Sequence, residues 1–445
     1  MRRLRERFEA RSPFPAGSAT VAAWLVLTGI TAYLFLTVAG RELGSDRFGA
    51  LAVLWALVFF AGPGFFQPLE QEVARALGER RALGVGGAPL VRRAALAGGL
   101  FAGTLSLITL VVGLAVPAVA DSVFDGEKML VVALAIALIA YYVEHLSRGI
   151  LSGEGRFNGY GLLMGSEGVF RLVAALVLGV VGVTTAGPYG LALAFMPFFA
   201  SALAVRREKG MLQPGPPAPW AELTRNIGLL LAGSVFSLAL VNAGPVVVKL
   251  LATDAQDDAA GSFLAGLLLA RVPLYFFQAV QAALLPKLSG QRGVGEHAAF
   301  RTGLERLVLA VIAISVVSII GSTLLGPWAV RTFFGSTFEL TALDMALLAI
   351  GASLLMFAMT VAQALIALEH HGRAAIGWAV GVVFFVAGVA LTSGLLRRVE
   401  IGYVVGTGVA ALVMVALVIG PLRSPEADVE EDALVDAVAQ EPIEL

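Results

Sequence analysis

The chain contains no cysteine in its 445 residues, so disulfide bonds, thiolate metal sites and cysteine nucleophiles are excluded. Charge is also scarce: acidic and basic residues make up 14% of the chain, whereas 58% of it is hydrophobic. Soluble domains average about 25% charged residues. A soluble protein of this length could not hide so much apolar surface. We therefore expect lipid to be the solvent, and the function to be carried out in or across a membrane.

The apolar residues form long unbroken runs, which predict helices rather than the short alternating segments of a β-barrel. A bilayer core needs roughly 20 apolar residues in helical form. About twelve stretches reach that length, which predicts an all-α polytopic membrane protein. The predicted spans are residues 16–39, 48–69, 90–116, 129–151, 158–181, 188–205, 223–250, 260–285, 302–325, 342–368, 374–395 and 401–421. The first span is too long for a cleaved signal peptide, and we expect it to be retained.

Lysine and arginine concentrate in alternate connections, which predicts the orientation in the membrane. Residues 1–15 are basic, and so are the connections after the second, sixth and eighth spans. The connections after the third and seventh spans are acidic instead. The loop that holds Arg397 and Arg398 disagrees with the pattern. The balance predicts that both termini are cytoplasmic.

The longest polar connection, residues 206–222, is rich in proline and glycine and predicts a stiff cytoplasmic linker. It divides the chain into an N-lobe of six spans, residues 16–205, and a C-lobe of six spans, residues 223–421. The acidic tail, residues 422–445, is predicted to be disordered.

The two lobes echo each other in sequence. PGFFQPLEQEVARAL, which starts at Pro63, aligns on FFQ with VPLYFFQAVQAALLPKL, which starts at Val272. Six crossings are an even number, so such repeats share one orientation and commonly enclose a central cavity that opens to alternate sides. The prolines near these motifs, Pro63, Pro68 and Pro273, are interpreted as hinges that bend the helices during gating. Closer packing of small residues is the alternative.

Two further stretches are rich in glycine, namely AGRELGSDRFGALAVLWALVFF, residues 39–60, and RGILSGEGRFNGYG, residues 148–161. Both resemble Wzx-type polysaccharide flippases of the multidrug/oligosaccharidyl-lipid/polysaccharide (MOP) exporter superfamily. The resemblance extends to about residue 421. It implies a V-shaped pair of six-helix bundles that flips a polyprenyl-pyrophosphate-linked oligosaccharide, a cell-envelope polysaccharide precursor, across the cytoplasmic (inner) membrane of a bacterium.

Charged residues at membrane depth are costly and usually face a cavity or a partner. Glu167 and Arg171 lie on one face of the fifth span at i,i+4 spacing. Arg271 lies near the middle of the eighth span. One arginine per lobe suits a polyanion such as pyrophosphate, since guanidinium is always charged and binds phosphate in bidentate fashion. We expect Arg171 and Arg271 to bind substrate, although Glu167 and Arg171 could instead form a structural ion pair.

Other polar residues extend this candidate site. Asn242, Gln278 and Gln281 are predicted to contact sugar, with interhelical hydrogen bonding as the alternative. Glu167 and Glu144 are the candidates for ion coupling or ion pairing. Glu70, near the inner end of the second span, is expected to belong to a solvated helix end. No metal site is predicted.

Several functions remain open from the sequence. A cation-coupled multidrug exporter of the same superfamily is one, although residues 16–39 hold no acidic residue. A transport-inactive scaffold for envelope assembly is another. No nucleotide-binding P-loop is present, and no acid pair stands on a large outer loop, so neither an ATP-driven pump nor an enzyme is expected. We expect no cofactor, with coupling to protons, sodium or the membrane potential left open. The expected partners are the lipid-linked glycan, membrane lipids and polymerase or assembly proteins but no nucleic acid, and the chain is expected to be a monomer.

Overall fold

The computed structural model describes residues 18–220, 227–253, 256, 258–274, 297–368 and 370–423. This part of the chain is almost entirely helical and contains no strand. The helices are α1 (Ser18–Ala82), α2 (Ala88–Ala115), α3 (Pro117–Phe124), α4 (Lys128–Gly153), α5 (Phe157–Val180), α6 (Ala186–Arg207), α7 (Ile227–Leu251), α8 (Ala259–Ala270), α9 (His297–Phe334), α10 (Ala342–Ala367), α11 (His371–Leu391) and α12 (Leu395–Arg423).

Ten of these helices are long and apolar enough to cross a membrane. Helix α1 holds the first two predicted spans, because Gly44 breaks it with φ 74° and ψ 171°, values that favour glycine. The two arms, 18–43 and 45–82, follow each other without a loop. Helix α8 begins the eighth predicted span, whose residues 275–285 lie outside the described residues. The predicted all-α polytopic fold is confirmed.

Several boundaries differ from those predicted. The second span was expected to end at residue 69, but α1 continues to Ala82, because its polar end is stabilised along the helix. Arg75 pairs there with Glu72 at 2.8 Å and Glu79 at 2.7 Å, the i,i+3 and i,i+4 partners. Helix α3 was not predicted at all, because its eight residues lie in a connection that we interpreted as an acidic loop.

Helices α1–α6 pack with one another and form the N-lobe, and α7–α12 form the C-lobe. Between them, α1 packs against α7 and α8. Since successive long helices run in opposite directions, their connections gather at two ends. The Gly44 face carries Gly44 and residues 116–127, 181–185, 335–341 and 392–394. The Gly84 face carries residues 83–87, 154–156 and 208–220.

The described part of the linker, residues 208–220, lies against the N-lobe on the Gly84 face. The Arg80 guanidinium, buried at the end of α1, donates to the Pro216 carbonyl at 3.1 Å. The Leu212 amide donates to Glu154 Oε1 at 3.2 Å. Arg93 Cζ of α2 lies 5.4 Å from the centroid of the Trp220 ring, so the linker lies against the N-lobe up to residue 220.

Close packing of α11 on α12 generates the first testable prediction. A Cβ placed on Gly402 would lie 2.8 Å from the Phe385 carbonyl oxygen, so Gly402→Ala forces the two helices apart. Overpacking of this kind costs about 1–3 kcal/mol. We expect a lower midpoint of thermal unfolding in detergent.

The matched control is Gly420→Ala, in the same helix. No atom lies within 4 Å of a Cβ at Gly420, so the substitution gains helix propensity of at most about 1 kcal/mol. Equal effects of the two substitutions on the unfolding midpoint would contradict close packing at Gly402.

Candidate functional site

Eight polar side chains of α1, α4 and α5, six of them buried and two half-buried, form a group inside the N-lobe, which we call the N-lobe cluster. Its members are Glu70, Tyr141, Glu144, His145, Arg148, Tyr160, Glu167 and Arg171. The cluster extends from the Gly84 side of the lobe towards mid-depth. Arg171 lies about 21 Å along α5 from the start of that helix at 1.5 Å per residue.

Glu70 is the centre of the half nearer the Gly84 face. Its Oε2 lies 2.7 Å from His145 Nδ1 and 3.2 Å from Arg148 Nε. Tyr160 donates its hydroxyl proton to Glu70 Oε1 at 3.1 Å and accepts from Arg148 Nη2 at 2.9 Å. The expectation of a solvated helix end at Glu70 is wrong, since its side chain is only 10% exposed.

The close approach of α4 to α1 explains this burial. A Cβ on Gly149 of α4 would lie 2.8 Å from the Glu70 carbonyl oxygen, so only glycine lets the two backbones come this near. His145 and Arg148 are carried to Glu70 by the same contact. In the sequence, Gly149 was the one signal that could have located this half of the cluster.

Glu167 and Arg171 form the deeper half. Arg171 Nη1 lies 3.0 Å from Glu167 Oε1, which also accepts the Tyr141 hydroxyl proton at 3.2 Å. The Arg171 side chain is 1% exposed. Three aromatic rings surround its Cζ, namely Trp55 at 5.1 Å, Phe59 at 5.7 Å and Phe35 at 5.8 Å. Cation–π attraction and the ion pair together hold this charge away from water.

The charges of the N-lobe cluster do not balance. When the imidazole is neutral, three carboxylates face only two guanidinium groups, which leaves one negative charge in excess. Glu144 is the most weakly paired carboxylate, since its Oε1 lies 3.6 Å from Arg148 Nη1. Glu144 Oε2 and His145 Nε2 are buried and have no hydrogen-bond partner. One additional proton would neutralise the cluster and occupy one of these atoms. The arrangement can therefore take up and release a proton.

In the C-lobe, Arg271 follows α8 and is 7% exposed. Its Nη2 donates to the Val241 carbonyl of α7 and, at 3.2 Å, to the Tyr403 hydroxyl of α12. Val241 lies four residues before Pro245, which has no N–H, so the helix leaves this carbonyl without its usual donor. Arg271 supplies the missing donor.

Asn242 makes a similar contact between the lobes, because it also donates to a carbonyl that a proline leaves without its usual donor. Its Nδ2 donates to the Phe59 carbonyl of α1 at 3.3 Å, and Phe59 lies four residues before Pro63. The backbone remains helical at Pro63 and at Pro68, and the break in α1 lies at Gly44 alone. The predicted hinge role of Pro63, Pro68 and Pro273 remains a prediction.

Gln278 and Gln281 lie outside the described residues. Among the residues that the structure describes, no group of three or more histidine and acidic side chains could hold a metal ion.

The lobes meet across the Gly44 face in three contacts of different kinds. They are a hydrogen bond from Arg41 Nε to the Phe333 carbonyl at 2.9 Å, an ion pair of Lys249 with Asp125 at 2.5 Å, and Phe48 against Phe338 with ring centroids 5.5 Å apart. Each joins a residue of the N-lobe to one of the C-lobe, and together they hold the lobes closed at this face.

Known proteins resemble the chain along most of its length. No family model matches it. Two uncharacterized proteins of Mycobacterium tuberculosis are similar in sequence. One is 27% identical over 424 residues, covering 91% of this chain and 89% of the relative. The other is 26% identical over 412 residues, covering 91% and 92%.

Solved structures show the same fold. A multidrug resistance MATE family transporter of the MOP superfamily, in its inward-facing conformation, superposes with a TM-score of 0.70 at 14% identity, covering 91% of this chain and 99% of that chain. The outward-facing conformation of a multidrug resistance MATE family transporter gives a TM-score of 0.61 at 16% identity, covering 94% of this chain and 100% of that chain. A MOP superfamily transporter from Pyrococcus furiosus, whose binding pocket is described as having reversed polarity, gives 0.66 at 16% identity, covering 93% and 100%. The chain therefore has the fold of these membrane transporters.

The buried ion pairs generate a second prediction. Arg148→Ala removes the cation beside Glu70 and Glu144 and leaves both carboxylates inside the lobe. Breaking a buried pair costs about 3–5 kcal/mol. We expect a large fall in the midpoint of thermal unfolding.

Arg331→Ala is the control, because Arg331 and its partner Glu339 are 57% and 74% exposed and lie 3.4 Å apart. Exposed pairs contribute less than about 1 kcal/mol. If Arg148→Ala were as mild as Arg331→Ala, the N-lobe cluster would not be a buried, mutually dependent network.

Proposed function

We propose that this chain is an exporter that works by alternating access and carries a polyprenyl-pyrophosphate-linked oligosaccharide across the bacterial cytoplasmic membrane. The observation that carries the transport proposal is the closure of the two lobes across the Gly44 face. Three kinds of cross-lobe contact act there, and each could be broken by a rigid-body motion of the lobes. The higher TM-score to the inward-facing than to the outward-facing MATE conformation supports the same interpretation.

The orientation follows from the charge pattern of the connections. With the basic connections on the cytoplasmic side, the Gly84 face is cytoplasmic and the Gly44 face is the outer one. The closed Gly44 face then belongs to the state that receives substrate from the cytoplasm. Both termini lie in the cytoplasm in this proposal.

The substrate proposal rests on the buried arginines and on the resemblance of residues 39–60 and 148–161 to polysaccharide flippases. Arg271 is the better placed of the two, because its bonds to the Tyr403 hydroxyl, 3.2 and 3.4 Å, are long and can be exchanged for phosphate oxygens. Arg171 is held at 3.0 Å by Glu167 and reaches an anion only after that carboxyl group is neutralised. A proton on Glu167 would release Arg171, and Glu144 lies in the same cluster to exchange it.

Multidrug export is the second candidate, favoured by the MATE transporters among the similar structures. It differs from the first in the charge of its cargo. A cationic drug would be repelled by Arg271, whereas a pyrophosphate is attracted by it. Polymerase or assembly proteins of the cell envelope are expected partners of a flippase but not of a drug exporter.

The substrate role of Arg271 is tested in proteoliposomes that contain a polyprenyl-pyrophosphate oligosaccharide, by following its exposure on the opposite leaflet. A charge-assisted hydrogen bond is worth about 1.5–3 kcal/mol, so Arg271→Ala should slow transfer about 10-fold to 100-fold. Arg373→Ala is the matched control, because Arg373 also donates to a backbone carbonyl of the C-lobe, that of Leu417 at 3.2 Å, but near the Gly84 face.

A second variant separates a substrate role of Arg271 from a structural one. Pro245→Ala restores an N–H that can bond to the Val241 carbonyl, so Arg271 is no longer needed there. If Arg271 binds phosphate, Arg271→Ala stays slow in the Pro245→Ala background. Recovery of transfer in the double variant would make Arg271 a structural residue. Transport of a cationic dye but of no lipid-linked sugar would favour drug export.

Alternating access predicts that locking the Gly44 face stops transport. The chain contains no cysteine, so Asp125→Cys with Lys249→Cys places two thiols where an ion pair joins the lobes at present. A short bifunctional thiol reagent should abolish transfer, and a cleavable reagent followed by reduction should restore it. Either single variant, treated in the same way, should remain active. Full transport by the cross-linked protein would exclude opening at this face.

A further inference from the structure

A second acidic group lies in the C-lobe, close to the Gly44 face and apart from the N-lobe cluster. Asp344 stands in the first turn of α10, and Glu400 stands in the second turn of α12. Arg397, one turn before Glu400, lies between the two carboxyl groups. We call Asp344 and Glu400 the C-lobe acid pair.

Asp344 has the partners that a carboxylate needs. Its Oδ2 accepts from the Thr341 amide at 2.8 Å and from the Thr341 hydroxyl at 2.7 Å, while the Thr341 hydroxyl accepts from the Asp344 amide in a capping box. Its Oδ1 accepts from Arg397 Nη2 at 3.2 Å. Three donors satisfy the negative charge and fix the start of α10.

Glu400 is in the opposite situation. Its side chain is 0% exposed, and neither of its carboxyl oxygens has a hydrogen-bond donor. The nearest cation, Arg397 Nη1, lies 3.6 Å from Oε2. A buried carboxylate without donors is among the most costly groups in a protein, and its neutral form avoids that cost.

Four other polar side chains of α12 and of the helices packed on it have partners elsewhere. Arg398 donates to the Val389 carbonyl of α11, Arg373 of α11 donates to the Leu417 carbonyl, Lys249 of α7 pairs with Asp125, and the Tyr403 hydroxyl accepts from Arg271. One guanidinium therefore serves two carboxyl groups, which leaves one negative charge in excess.

A metal cation is a poor candidate to balance this charge, because the Arg397 guanidinium already lies beside both carboxyl groups and would repel it. We propose that the C-lobe acid pair is a proton-binding site, with Glu400 held as the neutral acid and its O–H directed towards Asp344. The site exchanges its proton with the Gly44 side past Arg397, whose side chain is 32% exposed.

The position of the site connects it to the closed face. Thr341 ends the 335–341 connection, which carries Phe338, and Phe338 packs on Phe48 of the N-lobe. Loss of the proton would place two carboxylates side by side beneath this connection. Their repulsion is relieved if the start of α10 moves away from α12. The 335–341 connection leads directly into α10, so this movement disturbs the contact of Phe338 with Phe48. Proton release therefore favours opening of the Gly44 face.

Infrared spectroscopy of the purified full-length chain tests the proton directly, whatever the substrate. A protonated carboxyl group gives a carbonyl-stretch band that shifts in deuterated buffer, and an ionised one does not. At neutral pH we expect Glu400→Gln to remove one carboxyl equivalent from this band. The control Glu127→Gln, on the same face, should leave the band intact, because Glu127 Oε1 accepts from the Ala186 amide at 3.3 Å. An unchanged band in Glu400→Gln would overturn the proposal.

Asp344→Asn provides an independent reading if Glu400→Gln does not fold. It removes the excess negative charge and leaves Arg397 to Glu400 alone, so Glu400 should ionise and the same band should lose one carboxyl equivalent at neutral pH. A band unchanged in position and area overturns the proposal. The coupling of the C-lobe acid pair to opening of the Gly44 face is tested separately. Spin labels at Glu42→Cys and Glu339→Cys report the distance between the lobes across this face. This distance should increase as the pH rises, but not in the Glu400→Gln background. A pH response that persists in Glu400→Gln would reject the coupling of the site to this face.

Discussion

The constraint on which this structure depends is that lipid offers no hydrogen bond to a polar group. The prolines show how this constraint is met, because each proline inside a helix leaves one carbonyl without its usual N–H donor. At Pro63 the freed carbonyl of Phe59 is met by Asn242 from the other lobe, and at Pro245 the carbonyl of Val241 is met by Arg271. Each carbonyl that a proline leaves without its donor thus accepts a hydrogen bond from another part of the structure. The bond from Asn242 to Phe59 joins the two lobes.

The same constraint explains where the buried charged residues lie. Each lobe gathers its buried ionisable groups around arginine, since an isolated charge in this environment would be too costly. The N-lobe cluster occupies the half from the Gly84 face to mid-depth, whereas the C-lobe acid pair lies near the Gly44 face. The two groups thus differ in the side of the membrane that they can reach. Such an offset suits a molecule whose two faces open in turn.

The sequence predicted the helices well, because long apolar runs and basic connections are local signals. It also placed Glu167 and Arg171 on one face, since their spacing lies within a single helix. It could not place Glu70 beside His145, because that contact depends on how closely α4 approaches α1 at Gly149. The position of Pro245 indicates that the Val241 carbonyl needs a donor, but only the packing of α8 on α7 identifies Arg271 as that donor.

The docked linker has a consequence for how far the lobes can move. Nineteen residues, 208–226, separate α6 from α7, but the chain lies against the N-lobe up to Trp220, whose ring centroid is 5.4 Å from Arg93 Cζ. Helix α7 begins at Ile227. Seven peptide units span at most about 25 Å when fully extended. Because this connection lies on the Gly84 face, its length sets an upper limit on how far the two lobes can separate there.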